Sequence, residues 1–252
     1  MKRVLVIRAY LDEDVISSHL SSEYWRVRVL PEVSSTQEIL KSELVSNGEC
    51  VVAEFQSAGR GRLDRKFESA PHVALLFSFY IQPTRESEWG QIPLIIGSSV
   101  ARVINKMTES NNFLTKWPND VISESGKVCG ILCERFRDGI IVGVGINVST
   151  TVDELPVETA SSLFIETGVE LNRNELLAKI LQEFEGLYRR WNQGENLNSA
   201  YRALSSTIGR EVSVHLPDHR TIKGVAIGID DEGQLLLEAG DVISVGDVVH
   251  LR

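Results

Sequence analysis

Gln56-Ser-Ala-Gly-Arg-Gly-Arg-Leu-Asp-Arg-Lys-Phe67 is the most informative stretch of this chain of 252 residues. The protein is acidic, with a formal net charge of −9, yet Arg60, Arg62, Arg65 and Lys66 fall within seven residues, offset only by Asp64, for a local charge of +3. Gly59 and Gly61 alternate with the arginines, so backbone N–H groups can approach a ligand closely. Arginine keeps its charge, and its planar fork engages a carboxylate or phosphate in two parallel hydrogen bonds. On composition alone a solvated charged loop and a small-polyanion site fit this stretch equally.

Bulk properties narrow the class. The length suits one large domain or a domain with a small companion. Apolar content of 42% with 24% charged residues is that of an ordinary globular protein. The apolar segment Ile92–Ile96 is too short to span a bilayer. Met1-Lys-Arg-Val-Leu-Val-Ile-Arg8 lacks the apolar core and cleavage site of a signal peptide, so the expectation is a cytoplasmic protein. Cys50, Cys129 and Cys133 sit in apolar settings and read as reduced, buried thiols rather than metal ligands. The net negative charge opposes a general nucleic-acid binder.

The pattern predicts an α+β domain to about residue 204 and a β domain of under fifty residues after it. Strands are expected at 4–8, Cys50–Phe55, Val73–Ile81, Phe113–Trp117, Lys127–Arg135 and Ile140–Val148, the last two joined by an Asp138-Gly139 turn. Ser35 with Glu38 has the form of a capping box opening a helix that runs on through Ile39, Leu40, Leu44 and Val45. Helices are also expected at 90–107 and from Asn172 to Trp191, where Asn172 caps and Glu175 completes a box. Residues 149–161 read as a mobile loop. The short β runs after Ser206, broken by Pro217-Asp218, Asp230-Asp231-Glu232-Gly233 and Ala239-Gly240, suggest a small barrel.

Three clusters join the arginine–glycine loop: Lys116-Trp-Pro-Asn-Asp120, Ser125-Gly-Lys-Val-Cys-Gly-Ile-Leu132 and Gly143-Val-Gly-Ile-Asn-Val148. None is a phosphate motif of the usual kind, since no Gly-x-x-x-x-Gly-Lys-Ser/Thr occurs and both Gly-x-Gly pairs lack a third glycine. Taken in order with Ser35-Thr36-Gln37, these clusters resemble the biotin protein ligases over about Ser34 to Arg252. That resemblance implies a mixed-sheet catalytic domain of the biotin/lipoate ligase type, related to class II aminoacyl-tRNA synthetases, at 1–204. It implies a small SH3-like β barrel at 205–252. It further implies a two-step reaction, in which biotin and ATP give biotinyl-5′-adenylate and a lysine of a biotin carboxyl carrier domain then takes the biotin. ATP and Mg2+ accompany biotin, no protein nucleophile is required, and the five histidines mark none.

Site residues follow from the same resemblance. Lys127, Arg62 and Arg65 are the expected catalytic cations. Ser35, Thr36, Gln37, Gln56, Arg60, Gly61, Arg62, Lys127 and Gly130 are expected at biotin. Arg60, Arg62, Arg65, Phe67, Lys116, Trp117, Asn119 and Asn147 are expected at ATP or the adenylate, with Trp117 as wall rather than catalyst. Asp120 is the candidate magnesium ligand. For Ser35 a simple helix cap competes with ligand binding, and for Asn119 and Asp120 a turn does. Phe67 stands where the family often has tryptophan, and Gln37 where it usually has asparagine.

A lipoate–protein ligase shares the fold and adenylation chemistry, but Lys116–Asp120 and the double Gly-Arg step favour biotin. A biotin-responsive DNA-binding regulator is opposed by the charge and by the thirty or so residues before Val33, too few for a helix-turn-helix module. A catalytically dead biotin-binding module is opposed by the full set of expected cations. Monomer and homodimer both remain open. The acidic turns of the last fifty residues point to closing the nucleotide site or docking the carrier rather than holding biotin.

Overall fold

The computed structural model describes residues 8–62 and 65–251. The strand expected at 4–8 therefore lies outside the described residues except for Arg8. The first part of the chain runs α1 (Glu13–His19), β1 (Arg26–Val33), α2 (Thr36–Ser42), β2 (Glu49–Gln56) and β3 (Ala74–Ile81). It continues through a 3-10 turn at Glu86–Gln91, α3 (Ile92–Met107), β4 (Leu114–Lys116), β5 (Asp120–Ile122), β6 (Lys127–Phe136) and β7 (Gly139–Asn147). The helices α4 (Leu163–Thr167), α5 (Arg173–Asn192) and α6 (Asn198–Leu204) follow.

These strands form one seven-stranded sheet in the order β1-β2-β3-β7-β6-β5-β4. Only β1 and β2 pair in parallel; every other neighbour is antiparallel. Alternation along the strands sorts side chains between two faces. Cys50, Val52, Phe77, Phe79 and Val142 join the main core with α3 and α5, whereas Val51, Tyr80 and Ile141 pack with Leu40 of α2. Helices on both faces explain why all eight residues of β3 are buried. Pro31 sits in β1, an edge strand, where a missing N–H costs no ladder bond.

The second sheet is antiparallel, built from β8 (Glu211–His215), β9 (Thr221–Ile229), β10 (Leu235–Leu237), β11 (Val242–Ile243) and β12 (Asp247–His250) in the order β11-β10-β9-β8-β12. Its core of Val212, Val214, Ala226, Leu235, Leu237, Ile243 and Val248 is continuous with Leu94, Trp117 and Tyr201 from the first part of the chain. Gly90 and Gly233 bring two backbones together. A Cβ on Gly90 would lie 2.1 Å from Glu232 O, and one on Gly233 would lie 2.4 Å from Gly90 O. Trp117 Nε1 donates to Gly233 O at 3.0 Å and Gln91 Nε2 to Asp230 O at 2.8 Å, so the two units share a satisfied polar seam.

Several local expectations need correction. Ser35 occupies the N-cap position of α2, but its side chain makes no capping bond, and Glu38 turns to Arg60 and Lys41 instead. The helix stops at Ser42, leaving Leu44 88% exposed. The β6–β7 turn is Arg137-Asp138, because Phe136 pairs with Gly139, and Arg137 itself adopts φ 52°. Gly139 serves close approach, since a Cβ there would meet Ile81 O at 2.3 Å.

Asn172 does cap α5, accepting from Asn174 N and Glu175 N, but Glu175 pairs with Lys179 and closes no box. Residues 149–161 are irregular yet tied down. Thr151 and Glu154 form a capping box, Arg8 pairs with Glu154, and Lys127 N donates to Thr159 O while Ser161 N donates to Lys127 O. Among the described residues, no helix is long and apolar enough to cross a membrane.

Candidate active site

A cleft of about 700 Å³ lies between the start of α2, the 56–68 hairpin, the surface of β6 and β7, and residues 156–160. Its floor is nearly bare backbone. Gly130 and Gly145 are direct cross-strand partners, and Gly143 pairs with Leu132 one step along. Side chains from elsewhere fill the space that larger residues would take. A Cβ on Gly145 would lie 2.6 Å from the Phe67 ring, one on Gly143 2.9 Å from the Gln37 amide, and one on Gly130 3.0 Å from Lys127 Nζ. The Gly143-x-Gly145 step is thus a slot into which Gln37 and Phe67 fit.

One end of the cleft is neutral and polar. Gln56 Oε1 accepts from Thr36 N at 2.7 Å and from Thr36 Oγ1 at 3.0 Å. Thr36 Oγ1 lies 2.7 Å from Ser78 Oγ. A hydroxyl has one proton, so Thr36 donating to Gln56 leaves Ser78 donating to Thr36. Gln56 Nε2 has no partner among the described residues, and Ser35 lines the same end with its hydroxyl free of capping duty. Gln37, in place of the usual asparagine, donates from Nε2 to Leu132 O at 2.9 Å, which spends one amide hydrogen on the sheet.

The opposite side carries the cations. The hairpin closes through Phe67 N to Gly59 O at 3.0 Å and Gly61 N to Arg65 O at 2.7 Å. Arg62 donates to Asn119 Oδ1 at 3.0 Å and to Gly246 O at 3.4 Å. Burial pulls the Arg62 guanidinium below the ordinary arginine range, while Asp247 and Asp120 act the other way. Arg65 pairs with Asp247 of β12. Lys127 Nζ sits 2.6 Å from Asp120 Oδ1, joining the starts of β5 and β6. Asn119 is fixed from both ends, with Nδ2 donating to Ile131 O at 2.6 Å and its own carbonyl accepting from Ile131 N at 2.9 Å. Asn147 lines the cleft and donates to Ser161 O at 2.9 Å.

The structure therefore brings Ser35, Thr36, Gln37, Gln56, Arg60, Gly61, Arg62, Arg65, Phe67, Asn119, Asp120, Lys127, Gly130 and Asn147 around one cleft. Arg60 borders it, but its guanidinium is engaged by Glu38 at 2.7 Å. Lys116 and Trp117 are not among the lining residues. Trp117 is 2% exposed and belongs to the core between the two sheets, a correction to its expected place at the nucleotide. Sequence reading missed Ser78 and Asp247. A lone serine inside Ala74-Leu-Leu-Phe-Ser-Phe-Tyr-Ile81 is the signal for the first; nothing local announces the second. Cys129 lines the cleft as well, but burial pushes its thiol up and leaves it inert.

Comparison with known proteins bears on this geometry. The model for the biotin/lipoate A/B protein ligase family matches residues 29–150, and that for the biotin protein ligase C terminal domain matches 207–251. The chain is 34% identical to the biotin–[acetyl-CoA-carboxylase] ligase of Mycobacterium tuberculosis, covering 98% of both. It is 32% identical to the bifunctional ligase/repressor BirA of Escherichia coli over 90% of this chain and 74% of that protein. Among solved structures, the biotin protein ligase from Aquifex aeolicus in complex with biotin and ATP superposes with a TM-score of 0.80 at 34% identity, covering 90% of this chain and 98% of that one. With both parts of the chain matched and the likeness running nearly end to end, the protein belongs to the biotin/lipoate protein ligase family, among its biotin protein ligases.

Proposed function

We propose that the protein joins biotin to ATP in this cleft, forming biotinyl-5′-AMP and pyrophosphate, and then passes biotin to a lysine of a biotin carboxyl carrier domain. The observation that carries this reading is a single cleft with a neutral polar end at Thr36, Gln56 and Ser78 and a cationic side at Arg62, Arg65 and Lys127, separated by a floor that includes Gly130, Gly143 and Gly145. The ureido head of biotin is neutral and needs paired donors and acceptors once buried, which Gln56 Nε2, Ser35 and Thr36 offer. The carboxylate at the other end of biotin then points toward the cations.

The first step must bring two anions together. A biotin carboxylate oxygen forms a bond to the α-phosphorus while the bond from that phosphorus to the pyrophosphate oxygen breaks. The nucleophile is already ionised, so no base is needed, and positioning with electrostatic stabilisation supplies the rate. Lys127 is the cation for the carboxylate and α-phosphate oxygens, its charge held by Asp120 until an anion arrives. Arg62 and Arg65 take the phosphates. In the second step the carrier amine attacks the acyl carbon, AMP departs with its electron pair, and the amine loses a proton.

Magnesium fits the donors only in part. Asp120 offers one carboxylate, and no cluster of three or more potential ligands occurs among the described residues. Asp120 would be the residue to hold the ion, which would supply neutralisation of phosphate charge. We place the domain boundary at 204/205, where α6 ends. Free cysteines at 50, 129 and 133, the first two buried, and the need for ATP support a cytoplasmic location.

The test is a mass-shift assay with ATP, biotin and a carrier domain, run beside lipoate. A biotinylated carrier with no lipoylation is the expected result. Lipoylation in place of biotinylation would overturn the assignment of substrate.

A further inference from the structure

Arg60, expected at the ligand, is instead one corner of a closed ring of four alternating charges. Its Nη1 lies 2.7 Å from Glu38 Oε1 and its Nη2 3.7 Å from Glu134 Oε1. Lys41 Nζ completes the ring, 3.1 Å from Glu38 Oε1 and 3.0 Å from Glu134 Oε2. Glu38 and Lys41 stand one turn apart on α2, and Glu134 is on β6. Arg62 and Arg65 are held differently, by Asn119, Gly246 O and Asp247.

The placement of this ring is what makes it informative. α2 opens with Ser35, Thr36 and Gln37 at the neutral end of the cleft, and β6 begins with Lys127. Arg60 pairs with Lys66 across the root of the hairpin that carries Arg62 and Arg65. A tie between Arg60 and the two carboxylates therefore fixes the hairpin root against the same two elements that hold biotin's head and the reacting cation. The side chains of Arg60 and Glu38 are 48% and 44% exposed, so each pair is worth little by itself. Interactions of that size bias a position without locking it.

We propose that Glu38 and Glu134 are positioning residues for the reaction, acting through Arg60 to set Arg62 and Arg65 at the phosphate side of the cleft. This rests on the proposed adenylation chemistry. Arg60 then works as the rivet of the hairpin and makes no contact with the nucleotide. The ring contributes to how well ATP is held and not to the chemical step once ATP is bound.

The experiment is pyrophosphate release measured against ATP concentration at saturating biotin, in low and high salt, with Glu38→Gln/Glu134→Gln, Arg60→Gln and the triple variant. For the double variant KM for ATP is expected to rise about 3- to 10-fold, the range open to one or two surface ion pairs, with kcat within about twofold of the parent. High salt should narrow that gap, because exposed pairs are screened. Arg60→Gln should raise KM by the same factor, and the triple variant should add nothing. Unchanged KM in a double variant shown to be folded by circular dichroism overturns the proposal. So does a fully additive triple variant, which would mean that Arg60 touches the nucleotide itself. If the double variant does not fold, Arg60→Gln at two salt concentrations decides alone: a KM rise that high salt abolishes supports the ring, and one that high salt leaves intact refutes it. Absence of any biotin-dependent pyrophosphate release by the parent would instead overturn the enzymatic reading on which this one stands.

Discussion

Asp120 Oδ1 and Lys127 Nζ lie 2.6 Å apart, reaching toward each other from the starts of neighbouring strands. Their side chains remain 23% and 40% exposed, so the pair adds little to stability. Its importance is positional, since it holds one cation beside the glycine floor. Lys127→Ala is expected to slow pyrophosphate release by about 10²- to 10³-fold, the loss typical of one preorganised electrostatic contact. Unfolding free energy should change by less than about 1 kcal/mol. Asp120→Asn keeps Lys127 but removes both its partner and the one carboxylate offered to magnesium, so it should slow pyrophosphate release as well. Near-normal pyrophosphate release by Lys127→Ala would remove this lysine from the chemistry.

Gly145 gives a second prediction. Its missing Cβ is the space occupied by the Phe67 ring, so Gly145→Ala forces Phe67 and the hairpin root to shift. Overpacking of this kind costs about 1–3 kcal/mol, and the displaced ring should lower affinity for both small substrates. Denaturant unfolding and isothermal titration with biotin check the two halves separately. Unaltered stability and affinity would show that Phe67 moves freely.

The pair Glu54 and Arg173 lies away from the cleft and predicts acid behaviour. They are 2.7 Å apart with side chains only 5% and 4% exposed, and Leu11 N and His72 also face Glu54. Burial alone would raise the Glu54 carboxyl, but Arg173, Leu11 N–H and His72 overcome it and hold the group below the usual carboxylate range. A depressed native pKa stabilises the fold above the unfolded carboxylate pKa of roughly 4.3, and that contribution is lost as pH falls through the native value. Glu54→Gln, which strands a buried arginine, should destabilise the fold by about 3–5 kcal/mol at neutral pH and flatten the acid limb. Unfolding free energy measured against pH decides this, and an unchanged acid limb in the variant would exonerate Glu54.

Much of this architecture was legible in the sequence where local rules suffice. Asn172 and the apolar stripe from Leu176 to Trp191 mark α5 because cap and periodicity lie within a single helix. Short-range reading failed where a distant partner decides. Arg137 rather than Gly139 takes the positive φ, because Phe136 pairs with Gly139 and puts the turn at 137–138, while Ile81 O on another strand leaves no room for a side chain at 139. The helix at 13–19 has only Ile16 buried, too little apolar periodicity to declare itself. The site divides the same way. Motif order named most of the lining residues, but the partners that orient them are remote in sequence, Asp247 for Arg65 being 182 residues away. Trp117 was misplaced because only Asn119 and Asp120 of its motif line the cleft, while its own ring turns to the second sheet.

Ligand binding supplies a fourth prediction. The hairpin and residues 149–161 both border the cleft, so biotin and ATP should protect both from protease together. At ligand concentrations of 100 times the dissociation constant, stabilisation is about 2.7 kcal/mol, which for a chain of this size means a rise in Tm of roughly 5–10 °C. Equal protease sensitivity with and without both ligands would mean that the two segments do not respond to the cleft.

The meeting of Gly90 with Gly233 has a consequence for how the molecule comes apart. Two backbones that touch without intervening side chains, over a core that continues from Leu94 and Trp117 into Leu235 and Val248, leave no layer at which the last fifty residues could peel away alone. The seam is expected to make the two sheets unfold as a single cooperative unit. Denaturation should trace one transition by tryptophan fluorescence and by circular dichroism, and a fragment ending near residue 205 should be sticky and prone to aggregation because Leu94, Trp117 and Tyr201 lose their cover. The small β unit is then as much a keystone of the fold as a neighbour of the cleft.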